Sequence, residues 1–298
     1  MQTGFITIGK NTYYLEEQEG GEKAAGVLLT GWIKPDASAE ASYYANSSGV
    51  LLEGLQKVDG RWYYFDSVTR QKVKEIREEE IVDGFVTISG GHGEEKVFYL
   101  INNRTVAKGW RTINGIRYYF DTVTGERKTG LFQAGKHQYH YDENGVRKTG
   151  WWKDEEGNTY YFKEGRAVTG WQTVEEERYY FAGDGIMQTQ LVTVGRGNYF
   201  LGSDGKMRTG FVRYCDNTYY FAANGKMLTG WQIIEGERYY FEENGYMYTG
   251  WLKRGNYTYY LDEQLSTYGR LGKGKREIDG FTYYFNERGI LQSYVPLT

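Results

Sequence analysis

The chain has 298 residues but only one cysteine, two prolines and three histidines. A single thiol, Cys215, cannot close an intramolecular disulfide framework or furnish a cysteine-based zinc site, and it reads as a small buried side chain in a strand. No stretch approaches the ~20 apolar residues of a membrane-spanning helix, so membrane insertion is not expected. Excess basic charge is also missing. A formal charge of −3 and a pI near 5.8 leave no net basic face for a phosphate backbone, which argues against a nucleic-acid partner. Met1 leads directly into repeated sequence without a signal peptide, which reads as a segment excised from a longer protein.

Histidine is too sparse for a metal centre. His137 and His140 lie three apart with no third ligand to complete a set, and His92 stands alone. The acidic runs Glu78-Glu79-Glu80 and Glu175-Glu176-Glu177 sit in expected turns as solvated charge. Nothing resembles a nucleophile elbow or a phosphate loop. The expectation is therefore no catalytic residue, no metal and no cofactor, with any catalytic activity residing in a domain outside this segment.

What the chain does have is glycine (41 residues) and tyrosine (30), with aromatics at 17%. A TG-aromatic step recurs at Gly150-Trp151, Gly170-Trp171, Gly210-Phe211, Gly230-Trp231 and Gly250-Trp251, with Gln190-Leu191 filling the remaining place. Aromatic triplets, as in Tyr179-Tyr180-Phe181 and Tyr239-Tyr240-Phe241, fall between the steps. A fixed period of ~20 residues signals stacked repeats, each burying its apolar face only against its neighbours.

Extended along the chain, the register gives thirteen starts: Gly4, Gly31, Gly54, Gly84, Gly109, Gly130, Gly150, Gly170, Gln190, Gly210, Gly230, Gly250 and Gly274. The expected organisation is one repeat domain over 1–298, with irregular repeats in 4–108, regular ones in 109–273 and a capping repeat in 274–298. In the irregular part the extra length lies in Glu16 to Glu22, Thr69 to Glu80 and Ser89 to Glu95, read as extended turns. In the last repeat Lys275 takes the place of the Trp.

Each repeat reads as a hairpin. Asn114-Gly115 and Asp59-Gly60 are two-residue turn signals, because glycine accepts the positive φ such turns require. A lone hairpin is marginal in water, so stacking must make the array fold. The expected fold is an all-β solenoid of about thirteen stacked β-hairpin repeats, elongated in form.

Strand alternation assigns the faces. The residue before the tyrosines is polar: Arg117, Gln138, Thr159, Arg178, Asn198, Thr218, Arg238 and Thr258. It should face water, with the second Tyr of each repeat beside it, while Tyr179, Phe181 and their equivalents turn inward. Trp171 shares a side with Thr173, and Val174 points the other way. Each repeat thus presents a Trp, a Tyr and a polar residue as a shelf. Such a shelf can stack the C–H face of a sugar or hold a quaternary ammonium, at roughly 0.5–2 kcal/mol per contact.

The pattern TGW-x-x-x-x-G-x-x-YYF-x-x-x-G-x-M-x-TG resembles the cell-wall-binding repeat family, and the resemblance covers essentially the whole chain. That family includes choline-binding modules of bacterial surface proteins, glucan-binding domains of glucansucrases, and the repetitive tails of clostridial toxins. The resemblance implies noncatalytic attachment of a secreted or cell-surface bacterial protein to a polysaccharide, glycan or cell-wall polymer. Choline-binding members build a cage from the first Trp, a Trp before the tyrosines, a Tyr of the adjoining repeat and often a Met. Here only Trp62-Tyr63-Tyr64 keeps the second Trp, which makes Trp62 and Tyr64 the possible choline-like pair. Elsewhere Arg, Thr, Gln or Asn stands there, which favours the glucan-binding or toxin-like branch. Met187, Met207, Met227 and Met247 occupy the family's Met position and read as turn-packing residues.

The expected ligand shelves are Trp110 with Tyr119 and Arg117, Trp171 with Tyr180 and Arg178, and Trp231 with Tyr240 and Arg238. Trp151 with Tyr161 and Trp251 with Tyr260 belong to the same ladder. Choline on teichoic acid, or a structural stalk whose aromatics only pack, are the alternative readings.

Overall fold

A computed structural model describes residues 2–17, 24–35, 42–89 and 95–297. Among them there is no α-helix. One turn of 3-10 helix at Glu78–Glu80 interrupts a succession of short antiparallel strands. Twelve of the thirteen expected starts coincide with the first residue of a strand, and Gly84 directly precedes the strand Phe85–Ser89. His92 and most of two expected turn segments, 18–23 and 90–94, lie outside the described residues.

The repeating hairpin arises from its turn. In 170–181 the strands Gly170–Val174 and Glu177–Phe181 pair in five steps from Gly170↔Phe181 to Val174↔Glu177. The connection is therefore two residues, Glu175 and Glu176, not the three read from sequence. Both have positive φ (50° and 69°), the geometry whose twist matches that of the flanking strands. Asn114-Gly115, Asp59-Gly60 and Cys215-Asp216 make the same turn, so Cys215 is an exposed turn residue and not the buried strand residue read from sequence.

A second device joins the repeats. After the 170–181, 190–201, 210–221 and 230–241 hairpins, Asp or Asn caps a loop by accepting an N–H two residues on, as Asp184 does from Ile186 at 3.0 Å. The next N–H then reaches back one repeat. Met207 donates to the Arg178 carbonyl, Met227 to Asn198, Met247 to Thr218 and Leu271 to Arg238, at 2.7–2.9 Å. The acceptor is always the residue before the aromatic triplet. Each Met side chain packs beneath the next loop glycine: a Cβ at Gly205 would collide with Met187, and one at Gly225 with Met207. The methionines pack turns, as their positions suggested.

The fold divides into two compact units, residues 1–150 with 162–167, and residues 151–161 with 168–298. In the second, each hairpin's inner face carries a small core. Val174, Tyr179 and Phe181 bury together with Val168, packed by Tyr161 and Met187. Ile234, Tyr239 and Phe241 do the same with Tyr220 and Met247. Tyr161 and Tyr220 are second tyrosines of the preceding repeat, so the inner face of one hairpin rests on the shelf face of the one before it.

The first compact unit departs from this scheme. The segment after Phe65 is not an extended turn: Lys72–Ile76 adds a third strand to the 54–65 hairpin. A four-stranded sheet within 81–106 comes next. Its Val86, Ile88, Phe98 and Leu100 bury against Leu55, Trp62, Tyr64 and Ile76. The 274–285 hairpin at the other end of the chain also gains a third strand, Leu291–Pro296.

Candidate functional site

The register places each shelf pair directly across its hairpin: Trp110↔Tyr119, Trp171↔Tyr180, Trp231↔Tyr240 and Trp251↔Tyr260. The rings meet edge-on or tilted, with centroids 4.6–5.2 Å apart. Trp151 and Tyr161 meet in the same way at 5.0 Å. All five expected pairs are thus brought together.

A third wall comes from the following repeat. Trp110 touches Tyr139, Trp151 touches Tyr179, Trp171 touches Tyr199, Trp231 touches Tyr259 and Trp251 touches Tyr283, with centroids 4.6–5.0 Å apart. The sequence reading expected the neighbouring repeat to close each groove, but it assigned these first tyrosines to the interior. Phe211 with Tyr220 and Tyr239, at 4.8 and 5.3 Å, builds an equivalent shelf. So does Trp32 with Tyr44 and Tyr63, at 5.2 and 5.1 Å. Both carry the same TG-aromatic signal and could have been found from it.

Two groups of expected residues are corrected by their burial. Tyr240 and Tyr260 are 7% and 6% exposed, not accessible. Tyr240 sits in a cluster with Leu252 and Leu261, and Arg254 both stacks on its ring at 4.7 Å and hydrogen-bonds its hydroxyl. Tyr260 donates to Glu263 Oε2 at 2.8 Å, and burial together with that carboxylate holds its pKa well above the ordinary tyrosine value. Trp62 and Tyr64 are 8% and 1% exposed, because the inserted sheet covers the face on which a shelf would lie. A side wall of Trp62 still borders a cavity of about 540 Å³, lined also by Lys57, Arg61 and Arg77. Glu75 and Glu78 line it as well, and Arg61 pairs with Glu75 at 3.3 Å, so the charges of the lining largely offset one another.

The polar residue of each shelf does more than face water. The guanidinium carbons of Arg117, Arg178 and Arg238 lie 4.6–4.7 Å from the ring centroids of Trp110, Trp171 and Trp231. Arg and Trp are diagonal neighbours on one sheet face, within reach of a long side chain. Where Thr159 or Thr258 replaces Arg, no cation lies over Trp151 or Trp251 among the described residues, and Trp151 is 37% exposed. Platform and polar residue change together along the regular run: Trp110 with Arg117, Leu131 with Gln138, Trp151 with Thr159; then Trp171 with Arg178, Leu191 with Asn198, Phe211 with Thr218; then Trp231 with Arg238. Arg recurs in every third repeat up to Arg238, and the next repeat breaks the series by placing Trp251 with Thr258.

His140 stands at the second-Tyr position of its repeat, opposite Leu131 and 5.5 Å from the Phe162 ring. Burial, reinforced by the nearby Lys148 charge, lowers its pKa below the ordinary histidine value. Among the described residues no three side chains converge as metal ligands. No helix is long and apolar enough to cross a membrane.

Repeats of this length, with an aromatic step, a triplet and a loop glycine over a Met, match two family models. The choline-binding repeat matches residues 228–264. The putative cell wall binding repeat matches 3–19, 53–67, 108–122, 169–187 and 209–227. These segments are matched as choline-binding and cell wall binding repeats, and the other repeats share their hairpin plan. The chain's likeness to known proteins agrees with that assignment. It is 29% identical to glucosyltransferase-S of Streptococcus mutans over 48% of this chain, and it spans only 12% of that relative's length. The fold is that of CbpJ from Streptococcus pneumoniae, with a TM-score of 0.56 at 24% identity, covering 88% of this chain and all of that one. Choline binding protein F from the same organism, crystallised in the presence of a peptidoglycan analogue, superposes with a TM-score of 0.50 at 25% identity. There 97% of this chain and 92% of the other are covered. The chain is thus similar over most of its length to choline binding protein F, and over part of its length to a short stretch of a much longer glucosyltransferase.

Proposed function

We propose that this array attaches a secreted or surface-held bacterial protein to a polysaccharide of a cell wall, an exopolymer or a host surface, and that it carries out no catalysis itself. The thirteen repeats act as one attachment module, and any reaction belongs to sequence outside it. The observation that supports this most directly is the recurrence of one three-walled aromatic shelf, Trp with the second Tyr of its own hairpin and the first Tyr of the next. It has the same geometry at Trp110, Trp151, Trp171, Trp231 and Trp251. A sugar ring on such a shelf gains on the order of 1 kcal/mol by stacking, and several weak shelves on one chain multiply into avid attachment.

The test is a glycan array with the intact chain, then affinity and melting temperature for two variants. Trp231→Ala weakens attachment by roughly fivefold, about 1 kcal/mol, with the fold intact. Tyr239→Ala lowers the melting temperature instead, since that ring is buried under Tyr220 and Met247. A chain that binds no glycan on the array, or a Trp231→Ala variant that unfolds with unchanged affinity per folded molecule, refutes the reading.

A second reading, attachment through choline on teichoic acid, is favoured by one specific observation. Trp151 with Tyr161 and Tyr179, and Trp251 with Tyr260 and Tyr283, each bring three aromatic rings together with no cation stacked on the Trp among the described residues. Retention on a choline-type resin with elution by free choline would assign the ligand to those two repeats, and passage through the resin would remove it.

A further inference from the structure

We propose that Arg117, Arg178 and Arg238, each stacked on its Trp, form oxyanion-reading subsites for the carboxylate or phosphate groups of an acidic glycan. This rests on the attachment function above and names the ligand chemistry of three of its shelves. The first ground is the state of the guanidinium. Its carbon lies 4.6–4.7 Å from the indole centroid, so the ring takes one face of the group and holds it in place. An aromatic face satisfies none of the five N–H donors of an arginine. Among the described residues none of the three makes an ion pair or a side-chain hydrogen bond. The acidic neighbours are occupied elsewhere: Glu177 by Lys206 at 3.0 Å and Glu237 by Arg270 at 3.9 Å.

The second ground is what such a group recognises. A fixed, planar guanidinium with free donors matches a carboxylate or phosphate bidentately, and charge-assisted bonds of that kind are among the strongest a surface makes. Its side-chain freedom is already restricted by the stacking, so little is lost on binding. The same charge repels a quaternary ammonium, which separates these shelves from the cation-free ones at Trp151 and Trp251. The third ground is the coupling of residue to platform. In the regular run Arg occurs in this position only above a Trp, and it returns after 178 − 117 = 61 and 238 − 178 = 60 residues, every third repeat. A guanidinium serving only as a solvated strand residue would not need the Trp beneath it.

The experiment uses the full chain on polygalacturonate, on the same polymer fully methyl-esterified, and on unsubstituted poly(glycerol phosphate), at low and physiological salt. The expected result is binding to polygalacturonate at least about tenfold tighter than to its ester, with the preference shrinking as salt screens the charges. Phosphate polymer binding of similar strength assigns the shared oxyanion chemistry to both sources, and binding to one acidic polymer alone assigns it to that source. The triple variant Arg117→Gln, Arg178→Gln, Arg238→Gln loses the preference while melting within a few degrees of wild type. The triple Arg→Lys variant keeps only part of it, because a point charge lacks the fork. Binding to neither acidic polymer more tightly than to the ester, or a preference that survives in the Gln variant, overturns the proposal. A chain that binds neutral glucans but neither acidic polymer overturns it and leaves the attachment function standing; a chain that binds no glycan overturns both.

Discussion

The 54–65 and 170–181 hairpins are built to one plan and end in different surroundings. Both pair in five steps from a glycine to a phenylalanine, and both carry the Tyr-Tyr-Phe triplet. In 54–65 all four aromatics from Trp62 to Phe65 are buried. In 170–181 only Tyr179 and Phe181 are, and Trp171 and Tyr180 stay half-exposed. The difference lies in the chain just beyond each hairpin. A 20-residue spacing brings only the next hairpin, whose inner face covers part of the shelf. The 30-residue spacing from Gly54 to Gly84 brings a third strand and the sheet that carries Val86 and Phe98. The same local structure becomes core in one place and binding surface in the other.

The largest expected effect tests that contrast directly. Trp62→Ala should cost about 3–5 kcal/mol, the range for emptying a large aromatic site in a core. Trp171→Ala should cost about 1–2 kcal/mol, since part of its ring already faces water. Urea unfolding of both variants measures the difference, and equal losses would mean that the two hairpins are packed alike.

Alkaline pH should act on both compact units through their buried tyrosines. Burial pushes Tyr14 in one and Tyr219 in the other up to about 12, against about 10 in the unfolded chain. Below pH 10 both states keep the phenolic proton. Above it the unfolded chain releases the proton first, so stability falls from about pH 10 until the folded groups titrate near 12. Melting temperatures across pH 8–12 should decline from pH 10, whereas a flat profile would place these rings in water.

The smallest effect sharpens the rule for the first residue of each repeat. Gln190 holds a φ of 65°, where its sister repeats place glycine. A side chain in that conformation costs roughly 1 kcal/mol, which the bond from Tyr214 to Gln190 at 2.9 Å offsets only in part. Gln190→Gly should therefore stabilise the chain by about 0.5–1 kcal/mol in denaturant unfolding, and destabilisation would show that the bond outweighs the backbone strain.

Much of this molecule is local, which is why so much was legible in its sequence. Hairpin turns are set by two residues, strand faces by a period of two, and repeat starts by a glycine whose positive φ few other residues tolerate. Those features depend on neighbours a few residues away, and alternation alone put Trp171, Tyr180 and Arg178 on one face and Tyr179 and Phe181 on the other. Three things were decided by contacts between repeats or by packing within one. Arg178 lies on the Trp171 ring, when a polar position implied only exposure to water. The first tyrosine of the next hairpin closes each shelf, since stacking lays an inner face on the shelf before it. The hairpin with the most choline-like spelling, Trp62-Tyr63-Tyr64, is sealed inside a core, because apolar residues 20–40 positions further on fold back over it. Alternation says which side chains share a face, but only the packing of later segments says whether that face meets water.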